Sequence, residues 1–199
     1  MTALTRPPEI QAFIDTTLSV MAGLVTVPEA ARALEGIREK VTEVVPPSDR
    51  APRREAACSF LDAALQTAAQ DPRLTPVTET FRTAEPLLHW TGMSERRRGE
   101  NAPAPGSYAE ITLLGPGGYE ERSDIWLGLS LLAPEVRYPD HNHSPEEVYL
   151  ALSEGDFWRE SSGWFTPGIA GTFYNQPSIL HAMRSGPAPL LAIWALRRV

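Results

Sequence analysis

Two histidines one residue apart, a glutamate just after them and a third histidine further along are the residues of this chain best able to do chemistry. His141 and His143 stand with Glu147 in YPDHNHSPEEVYL, and His181 follows in QPSILHAM. On an extended segment alternate side chains share a face, so both imidazoles of an H-x-H pair look the same way. Ser144-Pro145 breaks the segment, and Glu147 rejoins the same lining where the next strand begins. Imidazole and carboxylate together suit one divalent transition-metal ion. Zn²⁺ or Fe²⁺ comes first, with Mn²⁺, Co²⁺ and Ni²⁺ as alternatives, because the donor types do not choose among them. Histidines satisfied by hydrogen bonds on a surface loop are the plain alternative for any one of them; for the whole group a metal is the better reading.

Parity brings in a tyrosine. If EEVYLALS is a strand, Glu147, Tyr149 and Ala151 share one face, while Val148, Leu150 and Leu152 take the other. The Tyr149 phenol then packs, donates a hydrogen bond or ligates the metal. Tyr138 precedes His141 on the same segment. A nearby cation stabilises phenolate, so both tyrosines are candidates for a lowered pKa, with aromatic packing as the equal alternative. His89, in LLHW, lies apart and reads as structural or surface. Cys58, the single cysteine, has no intramolecular partner and reads as a small buried side chain on a helix.

The elements that must position these residues change character along the chain. In EIQAFIDTTLSVMAGL, Ile10, Phe13, Ile14, Leu18 and Met21 recur at helical spacing. Pro28 opens a second helical segment, PEAARALEGIREKVTEVV, and VPPSDRAP ends it. RREAACSFLDAALQTAAQ reads as a third helix, stopping before Asp71-Pro72. A transitional stretch follows to about residue 106, with Arg96-Arg97-Arg98 read as a solvated face. From Tyr108 the texture is β: AEITLL, DIWLGLSLLA, EEVYLALS, FWRE, GWFTP, GTFYN and PLLAIWALR are short, apolar or alternating, and punctuated by glycine and proline. The expected fold is therefore mainly β, a barrel or sandwich over 107–199, with a helical region over 1–106 packed on it.

Composition bounds the partners. The chain has 199 residues, 42% of them apolar, and a net charge of −7. An acidic protein is not drawn to nucleic acid or to an anionic membrane. The start, MTALTRPPEI, lacks the apolar core of a leader, and no run approaches a bilayer span, so a soluble cytoplasmic protein, monomer or homodimer, is expected.

The site segments resemble a known superfamily. HNHSPEEVYLALSEG is similar to the first cupin motif, G-x5-H-x-H-x3,4-E-x6-G, and GTFYNQPSILH to the second, G-x5-P-x-G-x2-H-x3-N. His141, His143, Glu147 and His181 match the four usual ligand positions, and Gly171 and Pro177 fit. Glu135 stands where the leading glycine should be, Gly155 comes one residue late, His181 falls one residue early, the glycine after the proline is missing, and Ser185 replaces the final asparagine. The resemblance implies a jelly-roll (double-stranded β-helix) barrel.

A narrower resemblance is to the DddQ-type dimethylsulfoniopropionate (DMSP) lyases, carried by YPDHNHSPEEVYLALS and by the helical region before the barrel. It implies a metal held by His143, Glu147, Tyr149 and His181, with His141 in the pocket and Tyr138 as catalytic base. The implied reaction is a β-elimination giving dimethyl sulfide and acrylate from a small zwitterion. A sulfonium head favours aromatic faces. The β half offers Trp126, Trp158, Trp164, Phe173, Tyr174 and Trp194, of which Trp194, with Tyr138, Tyr149 and His141, is taken to line the substrate. Another cupin metalloenzyme, such as a sugar isomerase or an Fe(II) dioxygenase, or a non-enzymatic ligand-binding cupin, would share the metal set without needing Tyr138.

Overall fold

The computed structural model describes residues 4–93 and 103–198; the three-arginine run lies outside them. Among the described residues four α-helices precede nine strands: α1 (Pro8–Leu24), α2 (Pro28–Lys40), α3 (Leu61–Ala68), α4 (Thr75–Ala84), β1 (Tyr108–Leu114), β2 (Ile125–Leu132), β3 (Arg137–His141), β4 (Glu146–Ala151), β5 (Asp156–Arg159), β6 (Gly163–Phe165), β7 (Thr172–Asn175), β8 (His181–Arg184) and β9 (Leu190–Arg197). The strands form two antiparallel sheets, ordered β1-β2-β9-β4-β7 and β3-β8-β5-β6, which face each other as a jelly-roll barrel. Among the described residues no helix is long and apolar enough to cross a membrane.

The five-stranded sheet is buried on both sides, and the alternation of its strands sorts residues between two cores. Val148 and Leu150 of β4, Leu127, Leu129 and Leu131 of β2, and Leu191 and Ile193 of β9 join the helices in one apolar cluster. Their neighbours Tyr149, Ala151, Leu132, Ala192 and Trp194 face the other way, into the barrel. The helices and the outer face of this sheet thus share one core, in which Ile10, Phe13, Ile14, Leu18 and Met21 of α1 are all buried. Fully burying a side chain of this size contributes about 1.5–3 kcal/mol.

Three helix expectations shift. The segment expected to be helical to Val45 stops at Lys40. Its last carbonyls are taken by guanidinium groups instead: Arg6 donates to Val41 O (2.9 Å) and Glu43 O (3.1 Å), and Arg122 to Glu43 O (2.8 Å) and Lys40 O (3.2 Å). Arg6 itself is buried in a two-pronged pair with Glu120, pinning the chain start to the β1–β2 loop. The third segment begins extended, because Arg53 bridges to the backbone around His89 and Arg54 binds Glu85. A 3-10 turn at Ala56–Phe60 then leads into α3, and Cys58 there is buried. The fourth helix lies in the stretch read as transitional; Val77, Phe81 and Ala84 give its buried stripe. His89 is structural, its Nδ1 on Ala51 O at 2.7 Å.

Both missing cupin glycines left a mark. Glu135 has φ 57° and Ser178 φ 62°, left-handed values that glycine would take without strain. Ser178 is the residue on which the G-x2-H glycine falls when counted back from His181. Its N–H nevertheless donates to His143 O (2.9 Å), tying the two motifs together. Ser178→Gly should therefore raise stability by about 0.5–1 kcal/mol, relief of left-handed strain less the entropy glycine adds to the unfolded chain. Urea denaturation should show a higher midpoint at unchanged slope, and a lowered midpoint would contradict the strain.

Candidate metal centre

His141 closes β3 opposite His181, which opens β8. A bulge between Tyr138 and His141 re-aims the end of β3. His143 lies beyond β3 and Glu147 is the second residue of β4, so the break at Ser144-Pro145 does what the sequence suggested. The three rings converge: centroids are 4.1 Å apart for His141–His181, 5.0 Å for His143–His181 and 6.1 Å for His141–His143. One ligand atom from each of the three histidines falls within 4.8 Å of the others.

Each imidazole is held through Nδ1 by a backbone carbonyl, Pro139 O for His141 (3.0 Å), Pro145 O for His143 (2.9 Å) and Ile179 O for His181 (2.9 Å). A carbonyl only accepts, so Nδ1 carries the proton in every ring and the Nε2 lone pair is left to face the cavity. The Nε2 atoms of His143 and His181 are buried without a hydrogen-bond partner. Glu147 Oε2 lies 3.3 Å from the first and 3.2 Å from the second, and it also accepts from Asn175 Nδ2 (3.0 Å). Two orphaned imidazole lone pairs around a buried carboxylate fit a divalent cation with ligand bonds near 2.1 Å.

The electrostatics agree with a demand for positive charge. Burial alone would raise the Glu147 pKa, but the close approach of the His143 and His181 imidazoles overcomes it and holds the carboxyl well below its usual range. Burial disfavours the His143 imidazolium, yet Glu147 outweighs it and the pKa rises. Burial, then the charge of His181, pushes His141 down to about 3, so this ring stays neutral. Burial and the adjacent Glu147 push the Tyr149 phenol well up.

His141, His143, Glu147 and Tyr149 line a cavity of about 630 Å³ inside the barrel, a size suited to a small ligand. Tyr138, Tyr149 and Trp194 line it, and Trp126 joins them. Tyr138 packs at 4.8 Å against His141 and at 4.9 Å against Tyr108. Tyr149 stacks at 4.9 Å on Phe173, which with Phe157 and Phe165 builds an aromatic cluster beside it. Trp158 and Trp164 are not in the cavity lining; Trp164 is exposed under the Arg184 guanidinium. Tyr174 donates to Glu146 rather than to the site.

Sequence reasoning missed Tyr108, Glu110, Ser130 and Asn175. Tyr108, Glu110 and Ser130 carry a signal. Small or polar residues at alternate positions of otherwise apolar strands mark the lined face, as Gly128 and Ser130 do in WLGLSLL. Asn175, at the end of β7 opposite Glu147, becomes legible only from the strand pairing.

The chain matches the dimethylsulfoniopropionate lyase family model over residues 29–192. Its fold is similar to a solved structure reported for the DMSP lyases RdDddP and RnDddQII, at 18% identity and TM-score 0.65, covering 95% of this chain and 92% of that one. It is also similar to DMSP lyase DddQ from Ruegeria pomeroyi DSS-3, at 20% identity and TM-score 0.64, covering 96% and 92%. No curated protein matches the chain.

The orphaned lone pairs predict that Zn²⁺ or Fe²⁺ stabilises the folded protein. A free metal concentration a hundredfold above Kd should add about 2.7 kcal/mol, seen as a rise in Tm. His181→Ala should lose the rise and the bound metal together, and full metal occupancy in that variant would remove His181 from the ligand set.

Proposed function

The chain belongs to the dimethylsulfoniopropionate lyase family of carbon–sulfur lyases, and we propose that it cleaves DMSP by a metal-assisted β-elimination with Tyr138 as general base. The observation that carries this reading is the position of Tyr138. It is buried in the cavity against His141, whose ring packs on His181, so a phenol and the imidazole–carboxylate cluster face the same small volume.

His143, Glu147, Tyr149 and His181 would hold the cation, with His141 beside them in the pocket. When bound, the cation supplies Lewis acidity to the substrate carboxylate and lowers the pKa of nearby phenols. Tyr138 Oη takes the proton α to the carboxylate; the electron pair forms the new double bond as the carbon–sulfur bond breaks. Acrylate and neutral dimethyl sulfide result. Because the leaving group departs uncharged, no general acid is required, which agrees with a cavity lined by no lysine or arginine among the described residues. Asn175 keeps the Glu147 carboxylate in place through its amide. The aromatic walls exclude water and face the sulfonium. A sugar isomerase or dioxygenase would share the metal set but would have no task for Tyr138.

Metal-loaded protein incubated with DMSP should release dimethyl sulfide, followed by gas chromatography; no release with any of the five candidate metals would end the lyase reading. Tyr138→Phe should keep its metal and lose about 10²–10⁴-fold in kcat, the usual contribution of a general base. A wild-type rate in that variant would remove Tyr138 as base. Tyr149→Phe should lower metal affinity at least tenfold, whereas His141→Ala should retain the metal and raise KM; the reverse pattern would make the fourth ligand an imidazole.

A further inference from the structure

A chain of hydrogen bonds crosses three strands on the cavity wall opposite the histidines' own elements. The Trp194 indole N–H on β9 donates to Ser130 Oγ on β2 (3.1 Å), which meets the Tyr108 hydroxyl on β1 (3.2 Å), and Tyr108 donates to Glu110 Oε2 (2.6 Å). Its direction is fixed by the chemistry of its ends. An indole N–H only donates and a carboxylate only accepts, so Tyr108 gives its proton to Glu110 and Ser130 gives its own to Tyr108. Burial and the Glu110 charge push the Tyr108 pKa well up, keeping that phenol a donor. Each donor is used once, and such polarised chains are stiffer than isolated bonds.

The indole is also bedded from below. Gly128 pairs with Trp194 across the strands, and a Cβ at Gly128 would come within 2.3 Å of the Trp194 ring and 2.2 Å of Ile111 O. The ring therefore lies across β2 at this glycine, with Ser130 two residues on holding its nitrogen. No other polar contact fixes the ring among the interactions described for it.

We infer that Ser130 is a positioning and specificity-determining residue: its hydroxyl sets the tilt of the Trp194 indole, and so the preference of the pocket for a sulfonium over an uncharged group of the same shape. This deepens the proposed reaction and rests on it. Attraction of a cation to an aromatic face depends on the face being turned to it, whereas apolar contact is tolerant of tilt. Ser130→Ala leaves the indole N–H buried without an acceptor, a loss that reorients the ring.

The test uses metal-loaded protein and two carboxylates of one shape as competitive inhibitors of DMSP cleavage: 3-(trimethylammonio)propionate, whose head is cationic, and 4,4-dimethylpentanoate, whose head is uncharged. Wild-type protein should favour the cationic ligand by about tenfold or more, the size of a desolvated cation–π contact. In Ser130→Ala the preference should fall below about threefold, through weaker binding of the cationic ligand, with KM for DMSP rising in parallel and metal content unchanged. Trp194→Phe, which lacks the N–H, should lose preference on its own, and adding Ser130→Ala to it should change nothing further. Tyr108→Phe, which keeps the ring packed against Tyr138, should move the preference the same way by less, and it serves if Ser130→Ala does not fold. A wild-type preference retained in Ser130→Ala, or additive losses in the double variant, would overturn the role of Ser130. No preference in the wild-type protein would instead overturn the sulfonium pocket itself.

Discussion

The five-stranded sheet has no solvent face, and the rest of the molecule depends on that constraint. A sheet buried on both sides must be covered twice, once by helices and once by the opposite wall of the barrel. Its alternation then couples two tasks that look independent. Val148 and Leu150 hold the helices because Glu147 and Tyr149 hold the site, and each assignment forces the other. The same holds on β9, where Ile193 packs under the helices and Trp194 lies in the cavity. A slip of one residue on either strand would put a carboxylate or an indole N–H into an apolar core and leave the cavity lined by leucine. The helical region is thus the cover that fixes the register of the strands lining the cavity.

Inside the barrel, Glu147 is the point on which the electrostatics turn. A carboxylate 2% exposed cannot stand alone, since transferring a charge from water to such a site costs several kcal/mol. Asn175 supplies one hydrogen bond, and two imidazole nitrogens approach without completing one. The carbonyls of Pro139, Pro145 and Ile179 hold the three Nδ1 protons. Lone pairs therefore gather where a negative charge already sits, an arrangement that repels itself unless a cation joins it. The local backbone, two prolines and a bulge, is what turns the lone pairs inward.

Much of this was legible in the sequence because it rests on spacing. H-x-H followed by glutamate states a converging donor set, and the parity of EEVYLALS put Tyr149 beside Glu147 and Val148 on the far side, as the two cores confirm. The strands from Tyr108 onward stood at turn residues and alternation. What failed to show was fixed at long range. α2 ends where guanidinium groups from Arg6 and Arg122, distant in sequence, claim the carbonyls of Lys40, Val41 and Glu43. The segment before α3 is extended because it pairs with the chain around His89. Ser130 and Asn175 are ordinary strand residues until β2 and β9, or β4 and β7, are laid side by side. Glu135 and Ser178 stand where the motif has glycine, and both adopt a left-handed backbone that glycine would take without strain.

The charge of the cavity bears on turnover as well as on binding. Glu110, Asp140 and Glu147 line it, with no lysine or arginine among the described lining residues. Such a field disfavours a free carboxylate and favours a cation. On the proposed function a zwitterion reconciles the two: its sulfonium would lie in the acidic, aromatic part while its carboxylate would be drawn to a cation held at the histidines. Elimination removes that balance. On the proposed reaction, once dimethyl sulfide had left as a neutral molecule, the remaining acrylate would carry a negative charge with no cationic end to offset it, and only a cation at the histidines would still hold it. The step that breaks the carbon–sulfur bond would thus also remove the positive charge through which the acidic, aromatic wall of the cavity holds the molecule.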